Sequence, residues 1–189
     1  HAMAAPTPVS SYLHSATLVK AGVFLLARLY PALGGSEPWF WIVSATGLAT
    51  LLAGAWIAIF QHDLKGLLAY STISQLSYIV LGVALLTPSG IVGGLIHIPN
   101  HALSKITLFF AAGAIYTAAH KTEVSQLDGI GRRMPWTMGA FAIGALSMIG
   151  LPPTAGFVSK WFILSGAYTS GQWLAVGVIA AQSIGEPGT

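Results

Sequence analysis

The segment GGLIHIPNHALSKITLFFAAGAIY, Gly93 to Tyr116, is long and apolar enough to cross a bilayer, yet two histidines and a lysine interrupt it. His97, His101 and Lys105 recur at every fourth position, so on a helix each lies about 40° round from the last and one turn further along. They form one protonatable stripe. A charged residue at the centre of a bilayer costs roughly 2.5 to 3.5 kcal/mol on insertion scales, so such a stripe is expected to face a bundle interior or a water-filled path. Pro99 lies between the two histidines and predicts a kink, whose freed carbonyls water or side chains must satisfy. Together these features point to ion or proton traffic.

Composition supports a membrane setting. Hydrophobic residues make up 54% of the 189 residues and charged residues only 7%, against about 25% charged in soluble domains. The net charge of +3 comes from single residues scattered along apolar segments, so it is no nucleic-acid footprint. Cysteine is absent, which excludes disulfides and cysteine-ligated metal or iron–sulfur centres within this chain.

Outward from the central segment, the chain reads as an all-α, polytopic transmembrane helix bundle with one broken helix, about five spans plus a truncated sixth. The stretch HAMAAPTPV, with Pro6 and Pro8, predicts a re-entrant or interfacial lead-in, with Ser10 capping the first helix. That helix runs from about Ser11 to Tyr30 and carries His14, Lys20 and Arg28. Arg28 lies near an end and can snorkel to the interface; Lys20 lies near the middle and cannot do so easily. Pro31 to Pro38 reads as a turn, and Trp39 to Phe60 as an uncharged span with tryptophans toward both ends.

A third span, Leu67 to Leu86, is polar in its first half, with Tyr70, Ser71, Thr72, Ser74, Gln75, Ser77 and Tyr78. Such residues either hydrogen-bond between helices or line a hydrated half-channel. The fourth span is Ile91 to about Ala119, followed by the polar loop His120 to Pro135. Thr137 to Tyr168 is longer than one span requires and contains GLPPTAG, Gly150 to Gly156. We read two helical pieces joined by an unwound link, with Lys160 just beyond it. Broken helices at membrane depth are tolerated where they are buried or line a cavity, which makes Lys160 a second candidate. Gln172 to Ile184 is a truncated sixth helix. If the spans alternate, Lys65, Lys121, Arg132 and Arg133 share one side, which is then the cytoplasmic one.

Four stretches, AMAAPTPVSSYLHSATLVKAG, DLKGLLAYSTISQL, HIPNHALSKITLFFAAGAI and GLPPTAGFVSKW, resemble in this order the motifs of proton-conducting antiporter-like membrane subunits. That family comprises the large subunits of Mrp-type multisubunit cation/proton antiporters and the proton-pumping subunits of respiratory complex I. The resemblance covers about Ala2 to Tyr168. It implies that residues 1–168 form a partial antiporter-like domain, about the eighth to twelfth helices of the family, with 169–189 a truncated helix and an atypical tail.

Roles follow residue by residue from the resemblance. Lys20 is similar to the central lysine of the eighth helix, with His14 a turn and a half before it. His97, His101 and Lys105 match the eleventh-helix relay, and Lys160 matches the broken-helix lysine. Asp63 and Lys65 match a charged pair opening the tenth helix. The implied partners are the lipid bilayer, the other subunits of such a complex, protons and Na+ or K+, with no cofactor and no nucleic acid. The implied location is the bacterial cytoplasmic (inner) membrane.

Pro99 and Ser104 depart from the family pattern. The first third resembles the A-type Mrp subunit, whereas the part from Leu76 onward resembles the D-type one, as in a mosaic. Val176 to Thr189 resembles a segment of the RNA polymerase largest subunit, as at an artificial join, and the start reads like a fragment's edge.

Each assignment has a plainer counterpart. His14 serves equally as a helix-packing donor, and Asp63 with Lys65 as an interfacial ion pair or a gate. His97 and His101 have metal-ligand spacing, but a zincin needs Glu directly after the first His, where Ile98 stands, so no metal is expected. No nucleophile, acid pair, Gly-rich phosphate loop or redox ligand set points to an enzyme acting alone. The competing readings are a purely structural membrane segment and a nonfunctional fragment or chimera.

Overall fold

The structure is a computed structural model and describes residues 6–15 and 18–184. In chain order the helices are α1 (Thr7–Ser15), α2 (Leu18–Leu33), α3 (Glu37–Ile59), α4 (Leu64–Ala84), α5 (Pro88–Ala119), α6 (Ile130–Arg133), α7 (Pro135–Ile149), α8 (Ala155–Thr169) and α9 (Trp173–Ile184). A 3-10 turn, Val124–Gln126, precedes α6. Among the described residues, four stretches are long and apolar enough to cross a membrane: Thr7–Leu33, Glu37–Ile59, Leu64–Ala84 and Pro88–Ala119. Helices α7 and α8 have 15 residues each. Either alone, at about 22 Å, falls short of a hydrocarbon core of about 30 Å. They form the expected broken span, interrupted at residues 150–154.

Two boundaries differ from those read from sequence. Helix α1 begins at Thr7, so Ser10 is a buried residue inside it and no cap. Pro8 is tolerated there because the first turn of a helix has no partner for its N–H in any case. Helix α2 continues through Pro31 to Leu33, and the chain turns at Gly34, whose N–H closes on the Tyr30 carbonyl at 2.8 Å. Helix α5 runs as one element through Pro99. The polymerase-like tail reaches into residues 185–189, which lie outside the described residues.

Helix α4 is the hub. Of its most apolar stretch 72% is buried inside the bundle, against 28% for α3, whose Trp41 and Trp56 face outward. It packs between α3 and α5, and α5 in turn meets α1, α7 and α8. Lipid tails are as apolar as leucine, so these contacts rest on close van der Waals approach, which small residues permit. A Cβ on Gly93 of α5 would lie 2.7 Å from the Ile163 nitrogen of α8, and one on Gly166 2.6 Å from the Gly90 nitrogen.

Three apolar clusters result among the described residues. One gathers Leu51, Tyr78, Leu85, Ile163 and Ala167; a second gathers Leu64, Leu68, Leu108, Phe109 and Met148; a third gathers Val23, Leu76 and Ile79. Lys20, His97, His101, Lys105 and Lys160 are all buried inside the bundle.

The polar ends are tied together by the connection before α4. Asp63 caps α4, its carboxylate accepting from the Gly66 N–H at 2.7 Å. The Leu64 N–H donates to the Thr122 carbonyl at 2.9 Å, joining this connection to the loop after α5. Asp63→Ala is expected to cost about 1 kcal/mol through loss of the cap, and Asp63→Ser much less. A thermal melt of the purified protein in detergent, followed by helical circular dichroism, checks the order of the two.

Candidate functional site

Helix periodicity places His97, His101 and Lys105 on one face of α5, and packing closes α4 and α8 over that face. His97 and His101 are fully buried, while Lys105, Lys160 and Lys20 are 1%, 5% and 8% exposed. His97 stands at the centre. Its Nδ1 lies 2.9 Å from Ser159 Oγ on α8, and its Nε2 lies 3.1 Å from Gln75 Oε1 on α4. The His97 and His101 rings are 6.2 Å apart, centroid to centroid, and Tyr78 lies 5.9 Å from His97 on the other side. Both ring nitrogens of His101 are buried without a hydrogen-bond partner among the described residues. Such groups are ordinarily served by water, since leaving one unpaired costs about 1–3 kcal/mol.

The three lysines share one arrangement. Lys20 donates to the carbonyl of Ile98 at 3.0 Å, reaching from α2 to the residue before Pro99. Lys105 donates to the Leu68 carbonyl at 3.0 Å and also to Ser71 Oγ on α4. Lys160 donates to the Ile149 carbonyl at 3.0 Å, where α7 ends, and lies 5.0 Å above the Tyr78 ring. Glu37, Asp63, Glu123 and Asp128 are all exposed, so among the described residues no buried carboxylate fixes these ammonium groups. A backbone carbonyl accepts from an ammonium and from a neutral amine alike. The contacts therefore persist whichever form the lysine takes.

The interrupted helix gives Lys160 its acceptor. Gly150 adopts a left-handed φ of 87°, which ends α7 and leaves the Ile149 carbonyl facing Lys160. Asn100, on α5, accepts from Ser147 Oγ at 3.1 Å and so fastens the last turn of α7.

The structure brings together Lys20, His97, His101, Lys105 and Lys160. His14 lies at the edge of the group, half-buried and stacked on Phe109 at 5.7 Å, with Nε2 buried and without a hydrogen-bond partner among the described residues. Asp63 and Lys65 lie apart, and they do not pair with each other: Asp63 caps α4, and Lys65 sits 5.6 Å above the Tyr116 ring. Sequence reasoning did not single out Ser159, Asn100, Gln75 or Ser71 as individual partners. Gln75 and Ser71 stood within the polar half of the third span and Ser159 directly precedes Lys160, but nothing in the sequence set them against the stripe on α5. In the polar half of that span Ser71, Thr72 and Ser77 donate to carbonyls of α4 itself, while Gln75 and Ser71 also meet His97 and Lys105 of α5.

Comparison with known proteins agrees with this architecture. A model of the family described as NADH:quinone oxidoreductase/Mrp antiporter, TM, matches residues 1–185. The probable K(+)/H(+) antiporter A/B subunit of Rhizobium meliloti (strain 1021) is 53% identical over 160 residues, covering 85% of this chain and 16% of that protein. NADH-quinone oxidoreductase subunit N of Desulforudis audaxviator is 40% identical over 183 residues, covering 95% of this chain and 36% of that protein. Among solved structures, a chain of the Mrp complex from Dietzia sp. DQ12-45-1b superposes with a TM-score of 0.91 at 31% identity, covering 97% of this chain and 34% of that one. A chain of respiratory complex I from Thermus thermophilus with bound NADH gives 0.86 at 30% identity, covering 95% and 38%. The chain thus spans little more than a third, or less, of the length of these relatives. A transmembrane family match over nearly its whole length, on a bundle of apolar helices, makes it an integral membrane protein that belongs to the NADH:quinone oxidoreductase/Mrp antiporter transmembrane family.

Proposed function

We propose that this chain supplies a proton path within one subunit of a multisubunit cation/proton antiporter or an NADH:quinone oxidoreductase-like complex. It works with the other subunits of that assembly in a bacterial inner membrane, and Na+ or K+ is the counter-ion in the antiporter case. Residues 1–168 are the conducting part, and the chain is no enzyme by itself. The observation that carries this reading is the buried group of Lys20, His97, His101, Lys105 and Lys160, each lysine held by a backbone carbonyl and, among the described residues, none by a buried carboxylate.

An ammonium in a low-dielectric layer repels the next positive charge, so occupancy by one proton drives the proton ahead of it. Histidine exchanges protons near neutral pH, and lysine exchanges them when it is desolvated beside water. The carbonyl acceptors orient the amines without trapping them as permanent ion pairs. His101, with both nitrogens unpaired by protein among the described residues, is the natural point of contact with water between His97 and Lys105.

The test is proton-coupled cation transport in inverted vesicles carrying the parent complex, with this segment replacing the native one. Transport is expected in the grafted complex and is expected to fall by about 10²-fold or more in its Lys160→Ala partner. Equal rates in both would remove Lys160 from the path. No transport in either, with normal insertion and assembly, would favour a structural segment.

A further inference from the structure

The polar end of the bundle, where α5 stops and α7 begins, carries three cations close together in sequence and space. Lys121 and Arg133 line a pocket of about 220 Å³ together with Asp128, Gly129 and Ile130. Lys121 donates to the Gln126 carbonyl, which uses one of the three N–H bonds of an ammonium. Asp128 is exposed and, among the described residues, forms no ion pair with either cation. Arg132, exposed beside Arg133 in the last turn of α6, forms none either. Two cations against one carboxylate leave the pocket with an excess of positive charge.

Next to this pocket the surface changes character. Ile130 is buried, whereas Trp136, in the first turn of α7 and three residues past Arg133, is 91% exposed. Ile143 lies two turns further along the same face and is 69% exposed, with exposed Ala140 between them. Helix α7 is the first half of the broken span, so its first turn lies at a membrane boundary and Ile143 about 10 Å inside. Going inward, the order is cation, indole, bare aliphatic face. A phospholipid has the matching order of phosphate, glycerol ester and acyl chain, and the middle level is where interfacial tryptophans settle. An acidic segment of protein would answer the charges but not the apolar strip that continues beyond them.

We propose that the corner between α6 and α7 binds an anionic phospholipid, its phosphate held by Lys121 and Arg133 with Arg132 alongside, and an acyl chain laid along α7 past Trp136. The planar fork of an arginine matches phosphate oxygens. Basic pockets beside transmembrane helices on the positively charged side of a membrane protein take anionic headgroups. Lys65 belongs to the same end, since the Leu64 N–H meets the Thr122 carbonyl there. The lipid sets the depth of α7, whose far end offers the Ile149 carbonyl to Lys160. This site stands independently of the relay reading.

The test is photo-crosslinking in the purified parent complex carrying this segment, with p-benzoylphenylalanine in place of Ala140, in vesicles of equimolar phosphatidylglycerol and phosphatidylcholine. Each Lys or Arg near a membrane surface favours an anionic lipid by about fivefold, so phosphatidylglycerol adducts, identified by mass, are expected to exceed phosphatidylcholine adducts about tenfold or more. The ratio is expected to fall toward one in the Lys121→Gln/Arg133→Gln variant and to rise severalfold in Asp128→Asn. Lys65→Gln, at the same end but outside the pocket, leaves it unchanged. Inorganic phosphate added at constant ionic strength does not displace the lipid, because it has no acyl chain. If the double variant does not assemble, Asp128→Asn and the unsubstituted complex decide the matter.

Equal adducts of the two lipids, a ratio unmoved in the double variant or in Asp128→Asn, or displacement by inorganic phosphate would overturn the proposal. An equal fall in Lys65→Gln would reduce the preference to general surface charge and overturn it as well. Adducts to protein in place of lipid would show that another part of the complex covers this corner, and the lipid site would fall.

Discussion

Lys105→Ala in the full-length protein is expected to abolish proton translocation, and Lys105→Arg is expected to do the same. Lys105 is almost completely buried and ties α5 to α4 through the Leu68 carbonyl and the Ser71 hydroxyl. Truncation removes the proton carrier and leaves a buried carbonyl without this partner. A group that passes protons in the rate-limiting step contributes about 10²- to 10⁴-fold, so the rate should fall to the vesicle background. The arginine variant separates two roles. Guanidinium keeps the positive charge but does not give up its proton in a protein. A fixed-charge role would survive the change, and a proton-passing role would not. Quenching of a pH-sensitive dye in inverted vesicles measures both, with assembly of each variant verified on native gels. Wild-type rates with arginine would make Lys105 an electrostatic anchor only.

Gly156→Ala is expected to have the largest structural effect of any single methyl added to this chain. A Cβ there would stand 1.7 Å from the Ser147 carbonyl oxygen and 3.3 Å from Asn100 Nδ2. The obstacle is backbone across the helix break and not the flexible end of a side chain. Helices α7 and α8 must therefore separate, and Lys160, one turn further along α8, moves away from the Ile149 carbonyl. Overpacking of a tight interface ordinarily costs about 1–3 kcal/mol, and a clash this deep is expected to exceed about 3 kcal/mol. The measurement is the thermal midpoint of the purified complex, compared with Gly139→Ala as control. Gly139 lies on α7 with nothing within 4 Å of an added Cβ. There alanine is expected to be neutral or to stabilise by up to about 1 kcal/mol through helix propensity. Equal midpoints for the two variants would show that the close approach at Gly156 relaxes without cost.

Some of the candidate site was legible in the order of residues, and the reason is local. A charged residue in an apolar run is visible in one dimension, so Lys20, His97, His101, Lys105 and Lys160 stood out. The helix break was equally plain, because GLPPTAG cannot continue a helix and the segment around it was too long for one span. Boundaries were less accessible. Pro8 and Pro31 suggested non-helical chain, yet Pro8 lies in the first turn of α1, where the N–H has no partner in any case, and Pro31 lies in the last turn of α2, where it costs one intrahelical bond and the helix ends two residues later. Asp63 and Lys65 looked like a pair through the family resemblance, whereas a cap for one and an aromatic face for the other were nearer at hand.

What the sequence by itself determined is the membrane setting, the set of apolar helices and the placing of three protonatable groups on one face of α5. Hydropathy and the helical repeat are properties of consecutive residues, and they survive without neighbours. The tertiary structure alone decided who faces whom. Lys20 meets the Ile98 carbonyl across 78 positions of chain, Lys105 meets Leu68 and Ser71, and His97 is set between Gln75 and Ser159. These contacts depend on the rotation and axial register of packed helices, which close approaches at Gly93, Gly156 and Gly166 fix tightly. A pattern of apolar and polar letters constrains neither quantity that finely, because in lipid every apolar face is an acceptable outside and only the packing of small residues selects one.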